Sequence, residues 1–237
     1  MLKSQSLEKA PRVETASIPL LQSGDHLDSV EFERRYSAMP GVKKAELIEG
    51  VVYMSSPVRT LQHGNPQFDL AAWLGQYAGA TPGIMGSDNS TLRLDTKNQP
   101  QPDLLLMIRP AYGGQADFDD GYIVGAPELL AEISASTVSM DMKTKLEVYR
   151  RCKVREYLVW RIEDEEIDWF VLRRGRFVKL TSEDGIVRSE TFPGLWLDPI
   201  ALVAMNLARV LEVGRLGVAC PEHAAFVARL RAAGKTP

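Results

Sequence analysis

Two stretches near the middle of the chain are apolar almost without interruption: Asp103-Leu-Leu-Leu-Met-Ile108 and Pro127-Glu-Leu-Leu-Ala-Glu-Ile-Ser134. Runs of this length without alternation predict strands buried on both faces of a sheet. From Val138 to Cys152 the period changes. Met142, Leu146 and Tyr149 recur at helical spacing while Lys143, Glu147 and Arg150 share another side, which predicts an amphipathic helix. Glu156–Trp160, Ile167–Leu172 and Phe177–Leu180 read as further strands, joined by turns at Glu163–Glu166 and Arg174-Gly175. A strand, a helix and a strand between Pro127 and Trp160 imply a crossover and a mixed sheet. The expected fold class is α/β (α+β), a mixed β-sheet core flanked by helices.

Elsewhere the pattern is weaker. Residues 1–26 mix charged and small residues around Pro11 and Pro19 without a sustained period, as a flexible arm does. Ser29–Met39 predicts a helix capped by Asp28 or Ser29, with Phe32, Tyr36 and Met39 on one face and Pro40-Gly41 ending it. Ala45–Met54 reads as a hairpin turning at Glu49-Gly50, with Leu47, Val51 and Tyr53 among its apolar positions. Thr60–Ala80 reads as a helix with Pro66 in its first turn, and Ser90–Leu94 as a strand. Residues 199–213 and 221–233 predict two closing helices separated at Gly217 and Pro221. The expected division is a flexible arm over 1–26, the sheet-containing domain over 27–200 and a helical extension over 201–237.

Composition narrows the function classes. The 45% apolar and 25% charged shares are those of a globular protein. The 28 basic and 31 acidic side chains leave a net charge of −3, so no global positive field draws nucleic acid. Arg150, Arg151, Lys153 and Arg155, with Arg173, Arg174 and Arg176, can supply local phosphate contacts, or can simply be solvated surface. Cys152 and Cys220 alone form neither a disulfide framework nor a zinc site, which points to a reducing, cytoplasmic setting. The longest apolar-rich stretch, Pro199–Leu211, is shorter than the roughly 20 residues of a membrane span, and the N-terminus shows no signal-peptide pattern. No G-x-S-x-G, P-loop, G-x-G-x-x-G or H-E-x-x-H occurs, so the commonest hydrolase, nucleotide-binding and zinc signatures are absent.

What remains is a set of acids in apolar surroundings. Asp103 and Glu132 stand 29 residues apart, one in each of the two buried runs. A carboxylate there must be paired, hydrogen-bonded or bound to a metal, because an isolated buried charge is too costly. Glu132 is enclosed by Leu129, Leu130, Ala131 and Ile133, whereas a lone Pro102-Asp103 is also how a turn begins. Lys145, about one turn into the following helix, can reach back over the end of the Glu132 strand. Asp141, four residues before it, offers it an ordinary surface ion pair instead. Two carboxylates and a lysine are what metal-assisted phosphodiester hydrolysis needs. They provide oxygen ligands for a hard cation such as Mg²⁺ and positive charge for the phosphorane-like transition state. Glu46 and Glu49 are candidates for a third carboxylate, but at a spacing of three only one can face the site from a strand. His63, near a helix start, is another candidate third ligand, although a lone histidine is more often structural. Ser134, Ser136 and Thr137 form a polar cluster that caps the next helix, with Ser136 or Thr137 at the N-cap.

Taken in order, these residues resemble the Uma-type family of putative restriction endonucleases, a branch of the PD-(D/E)XK nuclease superfamily. The likeness runs through Ala45-Glu-Leu-Ile-Glu-Gly50, Val51-Val-Tyr-Met-Ser-Ser-Pro57, His63 and Gln101-Pro-Asp103. It continues through Pro127-Glu-Leu-Leu-Ala-Glu-Ile-Ser-Ala-Ser-Thr137, Asp141-Met-Lys-Thr-Lys145-Leu146, and Tyr149 leading to Val154-Arg-Glu-Tyr-Leu-Val-Trp160, within about residues 30 to 200. The resemblance implies a restriction-endonuclease-like, mainly four-stranded sheet and a Mg²⁺- or Mn²⁺-dependent endodeoxyribonuclease that hydrolyses DNA, acting as a homodimer. It makes Asp103 and Glu132 the metal ligands and adds Glu46 and Lys145 to the catalytic set. In the superfamily's parent motif the lysine stands two residues after the second acid. Ser134 occupies that place here, so the role passes to Lys145. Glu49 replaces the usual aspartate before Gly50, and Ala135 the usual proline before Ser136. The competing reading is a nuclease fold that has lost catalysis and serves as a binding or assembly module. Retention of Asp103, Glu132 and Lys145 together favours the enzyme; the acidic net charge favours the module.

Overall fold

The two apolar runs are neighbouring strands of one sheet, as their unbroken hydrophobicity requires. A computed structural model describes residues 18–54, 59–135 and 137–234. Its first half comprises α1 (Ser29–Ser37), β1 (Ala45–Ile48), β2 (Val51–Met54), a π-helical turn (Thr60–Gly64) running into α2 (Asn65–Ala80), β3 (Ile84–Asp88), β4 (Leu92–Arg93) and β5 (Leu104–Ile108). Then come β6 (Asp117–Asp119), β7 (Tyr122–Val124), β8 (Leu129–Ser134), a π-helical segment (Met140–Lys145) running into α3 (Leu146–Arg151), and β9 (Glu156–Arg161). The chain continues through β10 (Glu166–Arg173), β11 (Arg176–Lys179), β12 (Val187–Arg188), β13 (Trp196–Leu197), α4 (Pro199–Val203), α5 (Leu207–Val218) and α6 (Pro221–Ala233).

The main sheet has six strands in the order β11-β10-β9-β8-β5-β3, more than the four expected. All neighbours are antiparallel except β8 and β9, which the crossover through α3 makes parallel. Side chains alternate across it. Leu104, Leu106, Ile108, Ala131 and Ile133 share a core with Trp73 and Tyr77 of α2, Phe192, Val210 of α5 and Phe226 of α6. Leu105, Met107 and Leu130 share a second core with Val148, Tyr149, Tyr157 and Val159. Asp103 and Glu132 continue the second row, so the pleat aims both carboxylates toward α3.

The β1–β2 hairpin forms where expected. Glu49 and Gly50 both take positive φ, 53° and 76°, as a two-residue turn matched to strand twist requires. Leu47 exchanges backbone hydrogen bonds with Gln99 at 3.1 and 2.7 Å, which fixes the hairpin beside the chain leading into β5. Asp28, not Ser29, caps α1, its carboxylate accepting from the Glu31 N–H at 2.9 Å. Of the expected arm, residues 1–17 lie outside the described residues, as do Ser55–Pro57 of the resembling stretch and Ser136 of the expected cap. From Ile18 the described chain runs along the hairpin, with Leu21 buried and the Gly24 N–H donating to the Val52 carbonyl at 2.8 Å.

Three expectations need correction. The strand expected at Ser90–Leu94 is mostly loop, with only Leu92 and Arg93 in β4; on the side away from β8, β5 pairs with β3. β3 escaped because Gly86, Ser87 and Asp88 interrupt any alternation on this edge strand. The helix expected over 199–213 is broken between α4 and α5, where Met205 has φ 54° and the Asn206 side chain accepts from the Arg209 N–H at 3.2 Å. Gly217 does not separate helices but lies inside α5. A Cβ there would stand 2.2 Å from the Gly194 carbonyl oxygen, so it is a packing glycine.

Candidate active site

Register creates the site. Leu104 pairs with Ala131, so one step further along each strand Asp103 stands opposite Glu132. Asp103 lies just before β5, not inside it, and its Oδ2 accepts the Ile133 N–H at 2.8 Å. That bond fixes the carboxylate's orientation from the backbone of the partner strand. Its other oxygen, Oδ1, accepts from Lys44 Nζ at 2.9 Å and has His63 Nε2 at 3.4 Å.

Glu132 is enclosed more completely. Its Oε1 accepts from Lys145 Nζ and from the Tyr149 hydroxyl, both at 2.9 Å. Lys145 Nζ also lies 3.0 Å from Glu46 Oε1 and 3.7 Å from Asp141 Oδ1. The expected alternative, a surface pair with Asp141, is therefore excluded: Asp141 and Lys145 are both buried and Lys145 serves three acids. Glu46 Oε1 additionally accepts the Gln101 N–H at 2.8 Å, and Asp141 Oδ2 accepts from Thr137 Oγ1 at 2.6 Å. Both π-helical stretches bear on the site, one carrying His63 and the other Asp141 and Lys145. Such wide turns are unusual and concentrate at functional sites.

The electrostatics follow from burial and crowding. Burial pushes the Glu132 carboxyl up to about 8; Lys145 opposes the rise, while Asp103, Asp141 and Glu46 add to it. Burial alone would lower the Lys145 ammonium, but Glu132, Glu46 and Asp141 raise it well above its ordinary value. For Asp103, burial works upward, yet the His63 hydrogen bond, the Lys44 charge and the Ile133 amide hold its carboxyl well below the usual range. The hydrogen bond to Asp103 in turn raises His63, against the effect of burial. Four carboxyl groups face two ammonium groups and His63, and the raised Glu132 carboxyl and the raised His63 both reduce the negative excess that four ionised acids against two lysines would give.

Among the described residues, no three His, Cys, Asp or Glu side chains form a ready-made metal cluster. The donor chemistry still fits a hard divalent cation. Asp103 and Glu132 supply oxygen from facing positions, a bound cation would favour the ionised form of Glu132, and such an ion keeps several waters and needs few protein ligands.

Of the other candidates, Glu46 reaches the site and Glu49 does not; Glu49 is exposed at the hairpin turn and paired with Arg151. Ser134 is buried, with its hydroxyl 3.3 Å from that of Thr137. The basic clusters are largely engaged with neighbours: Arg150 with Glu147, Arg151 with Glu49, Arg155 with Gln115 and Arg173 with Glu190. Sequence reasoning missed Lys44 and the hydroxyl of Tyr149. Lys43-Lys44 reads as surface and Tyr149 as a core aromatic, and only the fold sets both against the acids.

Residues 30–202 match the model of the Uma2 family, described as "Putative restriction endonuclease". The chain belongs to the Uma2 family. That match takes in all four acids, both lysines and His63. Among solved structures, the fold is similar to that of a putative nuclease belonging to DUF820 from Anabaena variabilis. The TM-score is 0.56 at 12% identity, over 72% of this chain and 97% of that one, a likeness of fold alone. No curated protein matches the sequence. Among the described residues, no helix is long and apolar enough to cross a membrane.

Proposed function

We propose that this Uma2-family protein is a divalent-metal-dependent endodeoxyribonuclease in which Asp103 and Glu132 hold Mg²⁺ or Mn²⁺. The observation carrying this reading is their register: two buried carboxyl groups stand at opposed positions at the end of adjacent strands, within a cluster of four acids. When bound, the cation would polarise a phosphate oxygen and lower the pKa of a bound water. The chain's own groups do the positioning. The Ile133 amide aims Asp103, while Lys145 and Tyr149 fix Glu132 on one oxygen and leave its other oxygen free of these two donors. Glu46 helps hold Lys145 in place, and Lys145 supplies the positive charge that keeps Glu132 oriented. In the reaction water adds to phosphorus, one P–O ester bond breaks and the departing oxygen gains a proton.

The competing reading, an inactive binding module, draws on the same geometry, since each carboxylate already has a lysine partner. Calorimetry of Mn²⁺ binding separates the two. The nuclease reading expects the wild type to bind and Asp103→Asn, which keeps volume but not charge, to bind much more weakly. Equal Mn²⁺ affinity in both proteins, or none in the wild type, removes the metal from this site and leaves the module.

A further inference from the structure

The site contains two lysines in unlike settings. Lys145 Nζ is surrounded by Glu132, Glu46 and Asp141, and its side chain is only 5% exposed. Displacing it would leave three buried acids without their shared counter-ion. Lys44 Nζ touches one carboxylate, Asp103 Oδ1, at 2.9 Å, with Asn89 Oδ1 at 3.4 Å, and its side chain is 22% exposed. It arrives from the residue preceding β1, and among the described residues no other side chain holds it.

The oxygen that Lys44 occupies belongs to a proposed metal ligand. An ammonium and a divalent cation on the same carboxylate oxygen repel strongly at such distances. Lys44 therefore has to leave Asp103 Oδ1 when that oxygen takes a cation. It has a long stem, partial solvent access and no second acid within ion-pair distance, Glu132 and Glu46 acting on it only from farther off. The anion then at hand is the phosphate being cleaved.

Resting on the metal reading of Asp103, we propose that Lys44 is the residue that contacts the scissile phosphate. In metal-free protein it is the counter-ion of Asp103; in the loaded complex it pairs with DNA. Lys145 is then a positioning residue that stays with its three acids. The transfer also couples the two ligands, because bound metal frees the cation that receives the phosphate.

The test uses the full chain, with Lys44→Gln, Lys44→Arg and the wild type compared for Mn²⁺ affinity by calorimetry and for duplex DNA affinity in Ca²⁺. Lys44→Gln should bind Mn²⁺ at least about fivefold more tightly, having lost a competing charge. It should bind DNA more weakly in Ca²⁺, with the logarithmic salt slope reduced by about 1, while DNA binding in EDTA changes little. Lys44→Arg should restore the salt slope. A merely structural lysine gives a different result: both affinities fall together, or neither moves, and either outcome overturns the proposal. Mn²⁺ binding of equal strength in Lys44→Gln and wild type overturns the Lys44 assignment alone. No Mn²⁺ binding by the wild type overturns the metal reading and this assignment with it.

Discussion

Replacing Lys145 with methionine keeps most of the side-chain volume and removes the one ammonium shared by Glu132 at 2.9 Å, Glu46 at 3.0 Å and Asp141 at 3.7 Å. None of these three carboxylate side chains is more than 12% exposed, so water cannot take the place of the lost charge. Removing one partner of a buried pair costs about 3–5 kcal/mol, whereas a surface pair is worth at most about 1 kcal/mol. Against a total stability of about 5–15 kcal/mol, the larger figure would be plain in urea denaturation. The loss should also depend on pH. Glu132 already binds its proton more tightly in the folded chain than the ordinary value of 4.5, and without Lys145 it binds it more tightly still. A carboxyl whose folded pKa is raised costs stability as pH rises from its unfolded value through its folded one. The penalty of Lys145→Met is therefore small near pH 4 and largest above pH 8. Urea midpoints of wild type and variant at pH 5 and pH 8.5 check this. A loss below about 1 kcal/mol at pH 8.5, or one equal at both pH values, would mean that Lys145 is not the shared counter-ion of these acids.

Further outcomes follow from single contacts. Tyr149→Phe removes a buried donor to Glu132 and should cost about 1.5–3 kcal/mol in urea denaturation. Asp103 has a folded pKa below its ordinary 3.8, so its contribution is present above that value and lost as pH falls through the folded one. Urea midpoints from pH 6 to pH 2 should consequently fall less steeply for Asp103→Asn than for the wild type. Gly217→Ala gains up to about 1 kcal/mol of helix propensity, but its Cβ would overlap the Gly194 carbonyl at 2.2 Å. The net effect should be a loss of about 1–3 kcal/mol, visible as a lower Tm.

Legibility varied along the chain for physical reasons. β5 and β8 could be read because strands buried on both faces have no polar alternation to hide them. α3 could be read because one stripe of it faces water. β3 could not, since an edge strand written Ile84-Met-Gly-Ser-Asp88 buries little and shows no period. The break before α5 was signalled only by Asn206, a capping residue that the apolar residues around it concealed. In the site, Asp103 and Glu132 stood out because charge in an apolar run needs an explanation, whereas Glu46 was separated from Glu49 only by the family resemblance. Lys145 was found through the helix that follows β8, but its burial among three acids was not foreseeable from Asp141 alone, which suggested a surface pair. Lys44 gave no signal, because its partner is 59 residues away and only the hairpin's docking brings them together. The two π-helical stretches likewise have no pattern of their own in the sequence. A net charge of −3 says nothing of how acids and lysines are distributed at one end of a sheet.

If Asp103 and Glu132 hold a divalent cation that drives DNA cleavage, the metal and both carboxylates are each indispensable to the reaction. Single-turnover cleavage of single- and double-stranded DNA by wild type, Asp103→Asn and Glu132→Gln, in Mg²⁺, Mn²⁺ and EDTA, reads out all three requirements at once. The expected result is cleavage by the wild type in Mg²⁺ or Mn²⁺, none in EDTA, and a loss on the order of 10²-fold or more in each variant. Cleavage by both variants at the wild-type rate, or no cleavage of any substrate by the wild type in either metal, would contradict it.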